Sequence, residues 1–246
     1  MSNQLFGFLN ASNNSYKQHM ESPGHSALVL FAIEISEKWH EVVSRPGIGN
    51  PAPSILMSSG LCNWMACVQL SLSGEFFPVP PLCRSTIESA LYAHVVAQSD
   101  ENFARWSAPP KDHRHKITAK EGIRALRALS WPDVDELEKE YEEFIAFGAH
   151  PNRKGIARQL SIQENSGVTG MELSAVQPPS GKTVLPIAMA LSCGIRACQI
   201  YAITIGDVEY SAWASGIRAR LLKHLDDTFN SAMRGEANSG WVPAKR

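Results

Sequence analysis

With 246 residues, 44% of them hydrophobic and 19% charged, the chain has ordinary globular composition and enough length to bury a large core. A formal net charge of −1 excludes a global basic field, so any nucleic-acid contact would need a local patch. No long linker interrupts the chain, which points to one helical domain over residues 25–235.

The start, MSNQLFGFLNASNNSYKQHM, lacks the basic stretch and apolar run of a secretory signal. Residues 1–24 read as a flexible arm, polar at 10–15, or as an arm that docks on a partner. Apolar residues Leu28, Phe31, Ile35 and Trp39 then recur at helical spacing over 25–43. After the breaker RPGIGNPAP, Ser54 reads as the N-cap of a helix that Gly74 ends. Pro78, Pro80 and Pro81 open a helix over 82–98, because proline is tolerated in a first turn. A single helical turn fits 100–106, and a basic loop follows at 111–116 (KDHRHK).

Thr118 and Glu121 form a capping-box pattern for a short helix to 129. Pro132 and Asp133 start the next helix, whose first turns carry Asp133, Asp135, Glu136, Glu138 and Glu140. Negative charge favours that end of the helix dipole. Its stripe Val134, Leu137, Tyr141, Phe144 and Ile145 faces the core. Residues 152–163 suit a short helix. Alternation over 170–177, with PPSG before 182–185, predicts a small β-hairpin near 170–185. Two long helices follow, over 185–205 and 207–233, the last capped by Asp207. Residues 236–246 read as a flexible tail. The expected fold class is mainly α, a bundle of about seven to nine helices with one small β-hairpin.

Only 184–205 has the look of a membrane span. It carries Arg196 near its middle, and a charge at the bilayer centre costs about 2.5–3.5 kcal/mol even on the lenient insertion scale. A buried core helix or subunit-interface helix is therefore expected, with no membrane contact. Cys62, Cys67, Cys83, Cys193 and Cys198 lie in apolar surroundings and read as reduced thiols of a cytoplasmic protein. The two Cys-x4-Cys pairs do not match zinc spacing, so neither a metal nor a cofactor is expected.

Three groups of residues could carry chemistry. Arg84, Glu88 and Tyr92 lie on one stripe of an otherwise apolar helix, where buried polar groups must be paired. They suit a pocket wall in which Arg84 binds an anion and Glu88 orients it or acts as a base. They equally suit an internal salt bridge to neighbouring helices, the preferred reading. His150, in Gly148-Ala-His-Pro-Asn152, follows a helix C-terminus, where the dipole favours its protonated form. It suits a ligand-binding or catalytic histidine, or a C-cap with Asn152 capping the next helix. The 111–116 loop could touch phosphate or simply be solvated. SGKT at 180–183 is not a phosphate-binding loop, because Val176 stands where the first glycine is required.

The stretch PLCRSTIESALYAHVVAQSDENFARW, with YEEFIAFGAHPN further on, resembles a family of uncharacterised bacterial helical proteins. Arg84, Glu88, Tyr92, Trp106 and 148–152 carry the resemblance, which spans 82–152. Such proteins look similar to HEPN-like domains, some of which are metal-independent ribonucleases of toxin or phage-defence systems. That likeness implies an Arg-x4–6-His motif on a late helix, which Arg218 and His224 fit. His224 would serve as general base and Arg218 would stabilise phosphorane charge. The implied enzyme would be a homodimer acting on RNA, with a composite site. The competing expectation, preferred because no clean catalytic motif is present, is a non-catalytic binding or interaction module. In it Arg84, Glu88, Tyr92, His150 and Asn152 form a structural polar network or a pocket for a small anionic ligand.

Overall fold

A computed structural model describes residues 4–45, 50–108, 117–148, 160–165, 168–173, 176 and 181–233. Among these, nine helices dominate, so the fold is mainly α, an all-helical bundle in its core. They are α1 (Gln4–Glu21), α2 (Pro23–Val43), α3 (Ala52–Leu72), α4 (Val79–Val96), α5 (Asp100–Ser107), α6 (Ala119–Ala128), α7 (Val134–Gly148), α8 (Gly181–Ile205) and α9 (Val208–Met233).

Helices α3, α4 and α8 form the centre, with α2 and α9 against α8 and with α5, α6 and α7 against α4. Helix α8 is apolar nearly all round because its neighbours leave it little solvent. Ile187, Ala190, Leu191, Cys193, Ile195, Ala197, Cys198 and Ile200 are all buried. Both Ala52–Leu72 and Val184–Ile205 are long and apolar enough to cross a membrane, but the second is largely buried inside this bundle. The α3–α8 contact is close. A Cβ on Gly194 would lie 2.3 Å from Nε1 of Trp64, which donates a 2.8 Å hydrogen bond to the Ala190 carbonyl.

Local signals hold at several ends. Thr118 Oγ1 accepts from the Glu121 N–H at 3.3 Å, and Asp207 Oδ1 accepts from the Tyr210 N–H at 2.8 Å. Gly74 takes φ 77° and closes α3, with Glu75 N–H on the Leu70 carbonyl and Gly74 N–H on that of Ser71. This is the Schellman pattern that a glycine makes strain-free.

Other expectations are corrected. Residues 4–21 do not form a flexible arm. Gln4–Glu21 is helical and docks on α2 and α3. Its Ser12 Oγ donates to Glu75 at 2.7 Å, and Ser15 and His19 are buried. Ser54 does not cap α3, which begins two residues earlier after Pro51. The Ser54 hydroxyl instead pairs with Tyr201 OH at 3.0 Å.

The hairpin near 170–185 is not formed. Its expected second arm, 182–185, lies in the first turns of α8, where Val184 and Ile187 join the core at helical spacing. Burial of that apolar face outweighs the local alternation. Residues Leu160–Asn165 pair antiparallel with Val168–Leu173, Leu160 facing Leu173, so 160–163 is extended rather than helical. Residues 152–159 and the tail at 236–246 lie outside the described residues.

Candidate functional site

Helix α4 places Arg84 and Glu88 one turn apart on the side that α7 covers. Arg84 Nε donates to Glu88 Oε1 at 2.8 Å, and the Tyr141 hydroxyl of α7 donates to the same oxygen at 2.6 Å. The stripe is therefore not sealed into the core. The Arg84 side chain keeps 36% of its exposure and Glu88 keeps 21%, while Tyr141 is buried.

Glu88 holds the guanidinium above its ordinary pKa. Burial, helped by hydrogen bonding to Glu88, pushes the Tyr141 phenol well up, so Tyr141 stays a donor at any ordinary pH. Tyr92, one turn further, is half-buried. Its phenol is pushed up by burial, with the Glu88 carboxylate adding to the shift.

Helix α5 lies further along the same stretch of chain. Arg105, on α5, pairs with Glu121 at 3.0 Å and donates to Asn102 Oδ1 at 3.2 Å. Trp106 packs with Phe103 on a small cluster of Ala52, Val95, Val96 and Ile117. His150, Asn152 and the 111–116 loop lie outside the described residues.

Arg218 and His224 are both on α9. Arg218 is ion-paired to Glu136 and lies 3.7 Å from Asp133. His224 is partly exposed, with its ring centroid 6.0 Å from that of Phe31.

A second charged centre is stronger than the first. Arg196 is completely buried and faces three carboxylates, Asp133 just before α7 and Glu136 and Glu140 on it. It meets Asp133 at 2.8 Å, Glu136 at 2.7 Å and Glu140 at 3.3 Å. Gln199 Oε1 accepts a further bond at 3.3 Å, and the Trp131 ring lies 5.8 Å from the guanidinium carbon. Burial opposes the charge on Arg196, but Glu140 and Glu136 hold its pKa above the ordinary arginine value.

The sequence carries a signal for this centre. Asp133, Glu136 and Glu140 fall on one side at helical spacing, and Arg196 is the one charged residue of 184–205. An acidic run at a helix start already suits the dipole, so the run alone does not show that a buried arginine pairs with it. Tyr141 sits on the apolar stripe of α7, where spacing shows the ring's burial but not the partner of its hydroxyl.

The thiols Cys67, Cys83 and Cys193 converge in the core, with Cys67 Sγ 3.3 Å from Cys83 Sγ and Cys193 Sγ donating to the Cys83 carbonyl at 3.2 Å. Burial pushes the Cys83 and Cys193 thiols up, and the hydrogen bond that the Cys67 thiol donates to Cys83 does the same for Cys67, so none is a nucleophile at neutral pH. Among the described residues, no group of three His, Cys, Asp or Glu side chains is placed to hold a metal ion. The chain matches no protein-family model, no curated protein and no solved structure.

Proposed function

We propose that the chain is a cytoplasmic, non-catalytic binding module in which Arg84 contacts a small anionic ligand and Glu88 and Tyr141 hold it in place. The observation that carries this reading is the geometry at Glu88. One carboxylate oxygen receives both Arg84 Nε and Tyr141 OH, which fixes the guanidinium by its inner nitrogen and leaves the side chain 36% exposed. An oxygen already accepting two donors is a poor general base, whereas a positioned guanidinium suits carboxylate or phosphate.

The ribonuclease reading draws on Arg218 and His224, and the ion pair from Arg218 to Glu136 speaks against it. A guanidinium committed to a carboxylate is not available to a phosphorane.

The test is thermal melting and calorimetric titration with inorganic phosphate for wild type, Arg84→Met and Glu88→Gln. Phosphate is expected to raise the wild-type Tm, and Arg84→Met should lose that response while keeping its helical circular dichroism. Glu88→Gln should mainly lower Tm, by a few degrees, since the half-exposed pair contributes about 1 kcal/mol or less. A wild-type Tm indifferent to phosphate, or an equal response in Arg84→Met, would remove the ligand role. Cleavage of RNA abolished by Arg218→Ala would instead favour the enzyme.

A further inference from the structure

Helix α1 rests on the bundle without adding to its core. Its large apolar residues, Leu5, Phe6, Phe8, Leu9, Tyr16 and Met20, keep 36% to 64% of their exposure, and neither core cluster includes a residue of α1. Between residues 5 and 21 only Ser15 and His19 are buried, and Ser12 adds its bond to Glu75. A helix that buries no large apolar side chain docks with little free energy, so its few buried groups decide whether it stays.

Those groups meet a second titratable ring. His19 has no exposure and His25, in the first turn of α2, has 3%, with the ring centroids 4.8 Å apart. His19 Nδ1 carries the proton that its bond to the Ser15 carbonyl needs. A second proton must therefore go to Nε2, which is buried and has no acceptor among the described residues.

No carboxylate faces the pair to offset that charge. On α1, Tyr16, Lys17 and Glu21 are exposed. The first charge on α2 is Glu34, which accepts from Arg220 and Trp213 of α9. Helix α3 carries no charge, its Cys62 is exposed, and Cys67 packs on Cys83. Of the helices against α2, α8 holds Arg196, enclosed by its own carboxylates, and α9 sets Arg220 and His224 beside Phe31. Lys223, Asp226 and Asp227 of α9 are exposed. Burial lowers the pKa of both imidazoles, and the only charged or titratable group that adds to this is His19, acting on His25.

The joint suits separate movement. Ser22 is the single residue between α1 and α2, extended at φ −73° and ψ 123°, and Pro23 lacks the N–H that would fuse the two helices into one.

We propose that α1 is an acid-released helix: protonation at the His19–His25 contact swings it out on Ser22 while α2–α9 stay folded, uncovering the surface of α2 and α3 on which it rests. Detachment returns both rings to water. The fall at His25 from 6.5 to about 4 corresponds to docking roughly 300-fold weaker once that ring is protonated.

Hydrogen exchange of the full chain, read by mass spectrometry with labelling times matched to the intrinsic rate at each pH, tests this. Between pH 7.5 and pH 4.5, protection of peptides from 5–21 should fall by about tenfold or more, while peptides from 187–200 stay protected. The double variant His19→Asn/His25→Gln should lose the pH response of α1. Proton NMR of the wild-type imidazoles repeats the test without substitution, since both rings should titrate at the midpoint of α1 release. Protection of α1 that persists at pH 4.5, or that is lost together with that of α8, would overturn the proposal. So would an unchanged response in the double variant, or ring titrations more than about one pH unit from the release.

Discussion

At Glu88 one carboxylate oxygen serves two donors from two helices, and that sharing decides what the residue can do. The bond from Tyr141, itself buried, ties α7 to α4, while the bond from Arg84 positions a half-exposed cation. The i, i+4 spacing that pairs Arg84 with Glu88 is legible in sequence. The tyrosine partner, 53 residues away, is not, because side chains distant in sequence meet only after α7 packs on α4.

The same scale governs His19 and His25, whose rings meet edge to face with centroids 4.8 Å apart between α1 and α2. His19 Nδ1 donates to the Ser15 carbonyl at 2.9 Å, and its buried Nε2 has no hydrogen-bond partner among the described residues. Burial pushes the His25 imidazole down to about 4, and the neighbouring His19 adds to the shift. The folded state therefore resists protonation that the unfolded chain accepts near its ordinary value of 6.5. Stability from this site is complete above 6.5 and is lost as pH falls toward 4, by about 3 kcal/mol. Carboxylates such as Glu136, whose pKa the Arg196 guanidinium lowers, act only below their ordinary 4.5. Melting between pH 7.5 and pH 4.5 should thus show a slope that His25→Gln flattens. An identical slope in that variant would count against the buried imidazole as its cause.

At the scale of elements, helix ends proved local and helix partners did not. Thr118, Asp207 and Gly74 mark their ends because a cap needs only its own turn. Helix α7 shows the opposite case. Its acidic first turns suit the dipole, yet Glu136 and Glu140, with Asp133 just before the helix, also surround a fully buried arginine from α8. Removing a buried guanidinium would leave like charges together, so this group fixes the pairing of the two helices more than it adds net stability.

The crossing of α3 and α8 depends on Gly194, where a methyl group would collide with the Trp64 indole. Gly194→Ala is expected to destabilise by about 1–3 kcal/mol. Gly216, also mid-helix but with nothing within 4 Å of an added Cβ, is the control. Gly216→Ala should gain about 0.4–1 kcal/mol. Denaturant unfolding of the two variants separates them. Equal effects would mean that helix propensity, not the close approach, sets the result.

For the molecule as a whole, the thiols report whether the bundle closes as described. Of the five cysteines only Cys62 is exposed, while Cys67, Cys83, Cys193 and Cys198 are buried. Burial pushes the Cys198 thiol up to about 12. A chromogenic disulfide reagent should therefore react rapidly with one thiol in the native protein and with all five in denaturant. Four or five fast thiols in the native state would refute the packing of α3, α4 and α8, and fewer than five in denaturant would mean a disulfide.

The sequence by itself determined that the protein is mainly helical, where most of its helices run, and that Arg84 would meet Glu88, because these follow from periodicity, caps and neighbours within a turn. Only the tertiary structure decided the helical fate of residues 4–21 and 182–185, the role of Tyr141 and the acid-lined burial of Arg196. The physical reason is common to all four. A polar or alternating segment takes the conformation that its buried neighbours reward, and a charge can be buried only once distant chain has brought its partners to it.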